Sequence, residues 1–88
     1  MANHPSSLKR IRSSERRRKR NRLVRSGTRS AVKKARMSIS AGNVDEAEAA
    51  VLAAVSALDS AASKGVIHKN NAARRKSRLM RQLNQARA

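Results

Sequence analysis

Charge in this sequence is sorted into blocks, and the sorting limits what the chain can fold into. Residues 1–40 carry 14 Lys and Arg and a single acid, Glu15. Residues 41–63 carry Asp45, Glu46, Glu48 and Asp59 with no basic residue, and residues 64–88 carry eight basic residues with no acid. The block nets of +13, −4 and +8 make up the formal charge of +17 over 88 residues. Gly42 and Gly65 stand at the two boundaries. The pattern predicts three segments joined by glycine turns, within one domain spanning residues 1–88.

Such a chain has little with which to oppose its own repulsion. Of the 34 hydrophobic residues 16 are Ala, leaving six Val, six Leu, three Ile and three Met, and there is no Phe, Tyr or Trp. A large aliphatic side chain contributes roughly 1.5–3 kcal/mol on burial, against about 1.5 kcal/mol to order each residue. The expected core is thin. A bound polyanion that neutralises the surface is expected to stabilise the folded form.

Periodicity assigns a helix to each segment. In the middle one, 43–63, Val44, Ala47, Val51, Val55, Leu58 and Ala62 recur at spacings of three and four on one face. Asn43 is placed to cap it and Glu46 to complete a capping box, with Asp45, Glu46 and Glu48 in the favourable field of the helix N-terminus. Lys64 followed by Gly65 is a stop signal. The first helix is expected over 7–40, with Ser6 or Ser7 as cap. Its second half carries an apolar stripe of Val24, Thr28, Ala31, Val32, Ala35 and Ile39, and a separate basic stripe of Arg22, Arg25, Arg29, Lys33 and Arg36. From Lys9 to Arg22 the apolar pattern disappears: nine of fourteen residues are basic and Ile11 is the only apolar one. At 1.5 Å per residue the first helix would be about 51 Å long and the middle one about 30 Å, so the basic half would project beyond any bundle. The third helix, 69–87, sets Ala72, Leu79, Leu83 and Ala86 on one face, with Met80 beside them and Arg74, Arg78 and Arg81 opposite. Either His68 or Asn70 can cap it. The expected fold is all-α, an antiparallel three-helix bundle with an extended, strongly basic N-terminal helix.

Several function classes lack their parts. There is no Cys for a nucleophile, disulfide or thiolate metal site. The few carboxylates gather near one helix start, and Gly27, Gly42 and Gly65 stand alone rather than in a phosphate-binding loop. No enzyme activity and no cofactor are expected. Two histidines do not make a zinc site. Removal of Met1 would leave Ala2-Asn3-His4 able to hold Cu(II) or Ni(II) in a square plane of nitrogens, but an ordinary polar N-terminus is the simpler expectation, and no metal site is assigned. No run approaches the roughly 18 apolar residues of a membrane span. The N-terminus has no apolar signal-peptide region, so a cytoplasmic location is expected. Neither a membrane, a small-molecule substrate nor a second copy of the chain is expected as a partner.

What the residues favour is a nucleic acid. Fifteen of the 22 basic residues are Arg, whose planar fork binds phosphate oxygens bidentately. A solvated face mixes signs, whereas Arg16, Arg17, Arg18, Lys19 and Arg20 form a run with only Glu15 beside it. Single-strand binders stack bases on aromatic rings, and this chain has none. Recognition of folded RNA or duplex DNA through phosphates, sugars and shape remains, and composition does not choose between the two. A nucleoid-type DNA-compacting protein is the alternative on charge alone. A membrane-active cationic peptide is a weaker one, because the apolar stripes are rich in Ala.

Particular residues narrow the choice. Lys64-Gly65-Val66-Ile67-His68-Lys69-Asn70, then Ala72-Ala73-Arg74, Lys76-Ser77-Arg78 and Leu79, resemble the signature at the start of the last helix in the bacterial small-subunit ribosomal protein S20 family. The opening Met1-Ala2-Asn3 with Ser6, Lys9 and Arg10, and the Ala41-Gly42 turn into an acidic, Ala-rich helix, are similar too, although His4 and Pro5 depart from the usual residues. The resemblance implies a structural protein bound directly to 16S ribosomal RNA in the body of the 30S subunit, where it holds RNA helices together and helps assembly. Mapped onto this chain, it implies RNA contacts from Lys9, Arg10, Arg12, Arg16, Arg17, Arg18, Lys19, Arg20 and Arg22. The basic stripe extends them through Arg25, Arg29, Lys33 and Arg36. A third group comprises Lys64, His68, Lys69, Asn70, Arg74, Arg75, Lys76, Arg78 and Arg81. Capping by Asn70 and opposition of a helix C-terminus by Lys64 are the purely structural roles open to two of these.

Overall fold

A computed structural model describes residues 5–88, with side chains from Leu8 onward. The chain forms three helices, α1 Pro5–Ala41, α2 Val44–Ser63 and α3 Lys69–Arg87, and no strand among the described residues. The links are two and five residues long, so successive helices run antiparallel and α2 packs against both others. The result is an elongated all-α bundle measuring 64 × 21 × 14 Å.

Local chemistry explains each boundary. Pro5 is the first helical residue of α1, where its fixed φ and missing N–H cost nothing. Ser6 and Ser7 therefore lie inside the first turn, which corrects their expected role as caps. Gly42 leaves α1 at φ +81°, a left-handed conformation that an L side chain resists, and its N–H reaches the Ile39 carbonyl at 3.2 Å. Asn43 then caps α2: its Oδ1 accepts from the Glu46 N–H at 3.3 Å, the first half of the expected capping box. At the other end Gly65, at φ +74°, closes a Schellman motif. Its N–H bonds to the Ala62 carbonyl at 3.0 Å, and the Val66 N–H to the Ala61 carbonyl at 2.9 Å. Val66 is buried beneath this turn.

The cap of α3 is His68, not Asn70. Its backbone is extended at φ −72° and ψ 143°, and its Nδ1 accepts from the Asn70 N–H at 3.1 Å. Asn70 is already inside the helix, where its N–H is one of the orphan donors that a cap must satisfy.

The core is Val32 and Ala35 from α1, Ala47, Val51, Ala54 and Leu58 from α2, and Ala72, Leu79 and Leu83 from α3. Ala31 and Ile39 are half-buried against it, Val24 is half-buried further along α1, and Thr28 is buried. Ala54 and Ala61 are buried although they lie off the expected stripe, because a helix sandwiched between two neighbours hides a wider arc. On α3 two expected core positions are exposed. Met80 sits about 80° round from Ala72 at 100° per residue, on the flank of the contact. Ala86 is in the last turn, where a methyl has no neighbour beyond it to close over it.

α1 outruns this core. Its 37 residues span about 56 Å against about 30 Å for α2, and every side chain from Leu8 to Arg20 is exposed. Gly27, mid-helix and exposed, would meet nothing within 4 Å if it carried a Cβ.

Two substitutions test this account by thermal unfolding followed with circular dichroism. Leu58→Asp puts an unpaired charge at a position with 0% exposure and is expected to cost roughly 4 kcal/mol or more, removing the bundle's helicity. Gly27→Ala should stabilise α1 by about 1 kcal/mol, since Ala is the better helix former and finds open space.

Candidate nucleic-acid interface

The exposed basic residues follow from what each helix buries. Beyond the bundle nothing packs on α1, so no face of it need be apolar, and Lys9, Arg10, Arg12, Arg16, Arg17, Arg18, Lys19, Arg20 and Arg22 surround it with their side chains in solvent. Where α1 joins the core, the basic side chains are confined to the outer face. Arg25, Arg29, Lys33 and Arg36 are exposed there while Thr28, Val32 and Ala35 turn inward.

The two stretches meet in a groove along α1 lined by Ser14, Arg17, Arg18, Asn21, Arg22, Arg25, Ser26 and Arg29. Steps of three and four residues place these side chains in one band. From Arg17 to Arg29 the band runs about 18 Å along the axis. Five guanidiniums in a row make a track for successive phosphates, each able to take two oxygens at once. A smaller hollow formed by Leu8, Lys9, Arg12, Ser13 and Arg16 continues toward the N-terminus.

A second basic surface surrounds the start of α3. Lys64, His68, Lys69, Asn70, Arg74, Arg75, Arg78 and Arg81 are all exposed. The cap gives His68 a defined hydrogen-bonding role: with Nδ1 accepting from Asn70, the proton of the neutral ring sits on Nε2, which is left as a donor. Lys76 differs from its neighbours. It is half-buried, and its Nζ lies 2.7 Å from Asp59 Oδ1 across the α2–α3 contact. Arg87 Nη2 similarly meets Glu48 Oε2 at 3.1 Å. Both pairs are partly exposed, worth about 0–1 kcal/mol each. They place acids of α2 against α3 and leave the Arg of α1 without a competing carboxylate partner among these bridges.

Sequence reasoning passed over Asn21, Ser14, Ser26 and Lys34. Asn21 and the serines carry no charge to draw attention, but they share the arginine band and the spacing would have found them. Lys34 is exposed beside Lys33 and lies on neither stripe. Among the described residues no three His, Cys, Asp or Glu cluster as a metal site would require. Ala2-Asn3-His4 lies outside the described residues. No described helix is long and apolar enough to cross a membrane.

A thin alanine-rich core inside a cationic exterior, with one helix standing out from the bundle, defines a small helical protein whose surface suits a polyanion. Residues 2–84 match the family model for Ribosomal protein S20. The chain is 54% identical over 84 residues to the small ribosomal subunit protein bS20 of Thermomicrobium roseum, covering 96% of this chain and 85% of that one. It is 49% identical over 84 residues to the bS20 protein of Geotalea daltonii, covering 96% and 97% of the two. Against the bS20 protein of Thermobifida fusca it is 51% identical over 85 residues, covering 97% and 92%. The chain belongs to the ribosomal protein S20 family.

The pairing of Lys76 yields a ranking that elution from immobilised heparin in a salt gradient can check. Lys76→Ala should elute close to the parent chain, whereas Arg74→Ala, which removes an exposed and unpaired cation, should elute earlier.

Proposed function

We propose that this protein binds 16S ribosomal RNA directly, through phosphates, sugars and shape, as a structural constituent of the small ribosomal subunit in the cytoplasm, and that it supports subunit assembly. The observation that carries this reading is the projecting part of α1, where every side chain from Leu8 to Arg20 is exposed and most are cationic. A free helix of that composition has only repulsion to hold it. Laid between RNA helices, it meets phosphate on several sides. The second basic surface, around His68 and Arg74, supplies a further contact on the bundle itself. A chain with two separated basic surfaces can join separate parts of one folded RNA. The names of the relatives support the ribosomal setting.

The absence of aromatic rings fits a partner that is already folded, since there is nothing on which to stack splayed bases. Affinity should rest on counterion release, and therefore fall steeply with salt.

The test is Arg16→Ala, Arg17→Ala and Arg18→Ala combined, titrated against a 16S ribosomal RNA transcript over a range of salt. Each phosphate contact contributes about one unit to the slope of log affinity against log salt. The triple variant should therefore lose roughly three units of slope, with the helicity of the bundle retained. An unchanged slope would remove α1 as the phosphate clamp. Equal affinity of the parent chain for 16S RNA and random duplex DNA would instead favour a DNA-compacting role.

A further inference from the structure

Within the arginine groove of α1 the side chain of Asn21 is out of keeping with its neighbours. The residue is half-buried, and its Oδ1 is the one buried side-chain oxygen or nitrogen among the described residues that has no hydrogen-bond partner. Arg18 lies one turn before it and Arg25 one turn after, with Arg17, Arg22 and Arg29 in the same groove. An acceptor buried without a donor is costly. No donor of the chain meets this oxygen, so it is available to one that arrives from outside.

The chemistry of the groove specifies that donor. Guanidinium groups only donate, so Arg18, Arg22 and Arg25 call for phosphate oxygens. An amide oxygen only accepts, so Asn21 calls for an N–H or O–H held beside those phosphates. A DNA backbone offers phosphodiesters and deoxyribose and has no donor at all. An RNA backbone carries a 2′-hydroxyl on every sugar, between successive phosphates, and displays it in its shallow minor groove. We infer that Asn21 Oδ1 accepts a hydrogen bond from a ribose 2′-hydroxyl of a strand whose phosphates lie on the flanking arginines, and that this contact discriminates RNA from DNA. The terminal torsion of Asn is soft, so the oxygen can turn into the groove without disturbing the helix. The inference rests on the RNA reading above and assigns one atom within it.

Asn21→Ala separates the two. The variant removes an unpaired buried oxygen and introduces a better helix former, so its unfolding midpoint should not fall. Its affinity for a 16S RNA transcript should drop about tenfold while its affinity for random duplex DNA at the same salt stays constant. Transcripts sparsely substituted with 2′-deoxynucleotides give the direct readout. Positions at which a missing hydroxyl weakens binding of the parent chain should include at least one that no longer matters to Asn21→Ala. Unchanged 16S affinity, an equal loss on DNA, or identical interference patterns for the two proteins would each overturn the assignment while leaving RNA binding intact. A parent chain with no preference for 16S RNA over DNA would defeat the RNA reading and the assignment together.

Discussion

Repulsion among 22 basic side chains is what the bundle has to fold against, and its architecture is arranged around that fact. Four of the five acids lie on or at the ends of α2, the helix that touches both others. Two of them, Asp59 and Glu48, form ion pairs with α3. Half-exposed pairs of this kind add little energy each, but their placement matters. They lower the field where helices must pack and leave the unopposed charge on the outer faces, where separation is greatest. A more even scatter of the same residues would put cations against cations at the helix contacts.

The core is small for a related reason. Four of its nine residues are alanine, with Leu58, Leu79, Leu83 and Val51 as its largest fully buried members. Small side chains let helix axes approach closely and cost little side-chain entropy, but they contribute little apolar area. The bundle is therefore only as long as α2, and α1 continues past it without tertiary support. Helices gain most of their stability from a packed face, so the exposed half of α1 depends on whatever neutralises it. On the proposed reading binding and ordering are one process there, and the polyanion stabilises the folded form by mass action.

How much of this could be read from residues alone depended on whether the signal was local. The glycine turns, the Asn43 cap and the face of α2 all depend on residues within a turn or two of one another, and the spacing displays them. The cap of α3 was undecidable because His68 and Asn70 both carry a suitable acceptor two residues apart. The extended backbone at His68 decides it. Lys76 looked like one more cation in a basic run. Only the register of α3 against α2 shows that it faces Asp59. The burial of Ala54 and Ala61 and the exposure of Met80 and Ala86 likewise depend on how far each neighbour reaches. Asn21 differs again: spacing places it in the arginine band, but that its oxygen is buried and unpaired is visible only in the structure.

On the proposed RNA reading, the two kinds of side chain in the α1 groove divide the work of recognition. Arginines supply affinity that any phosphate backbone would satisfy, at a strength set by salt. Through the phosphates alone they cannot tell ribose from deoxyribose, because both backbones present the same anions. A group that takes the 2′-hydroxyl proton has to be an acceptor, and an ionised carboxylate is a poor choice amid five guanidiniums, which would pair with it and neutralise part of the track. A carboxamide accepts without that competing attraction. On the proposed reading, an uncharged Asn among arginines lets a phosphate-binding surface also accept from the sugar.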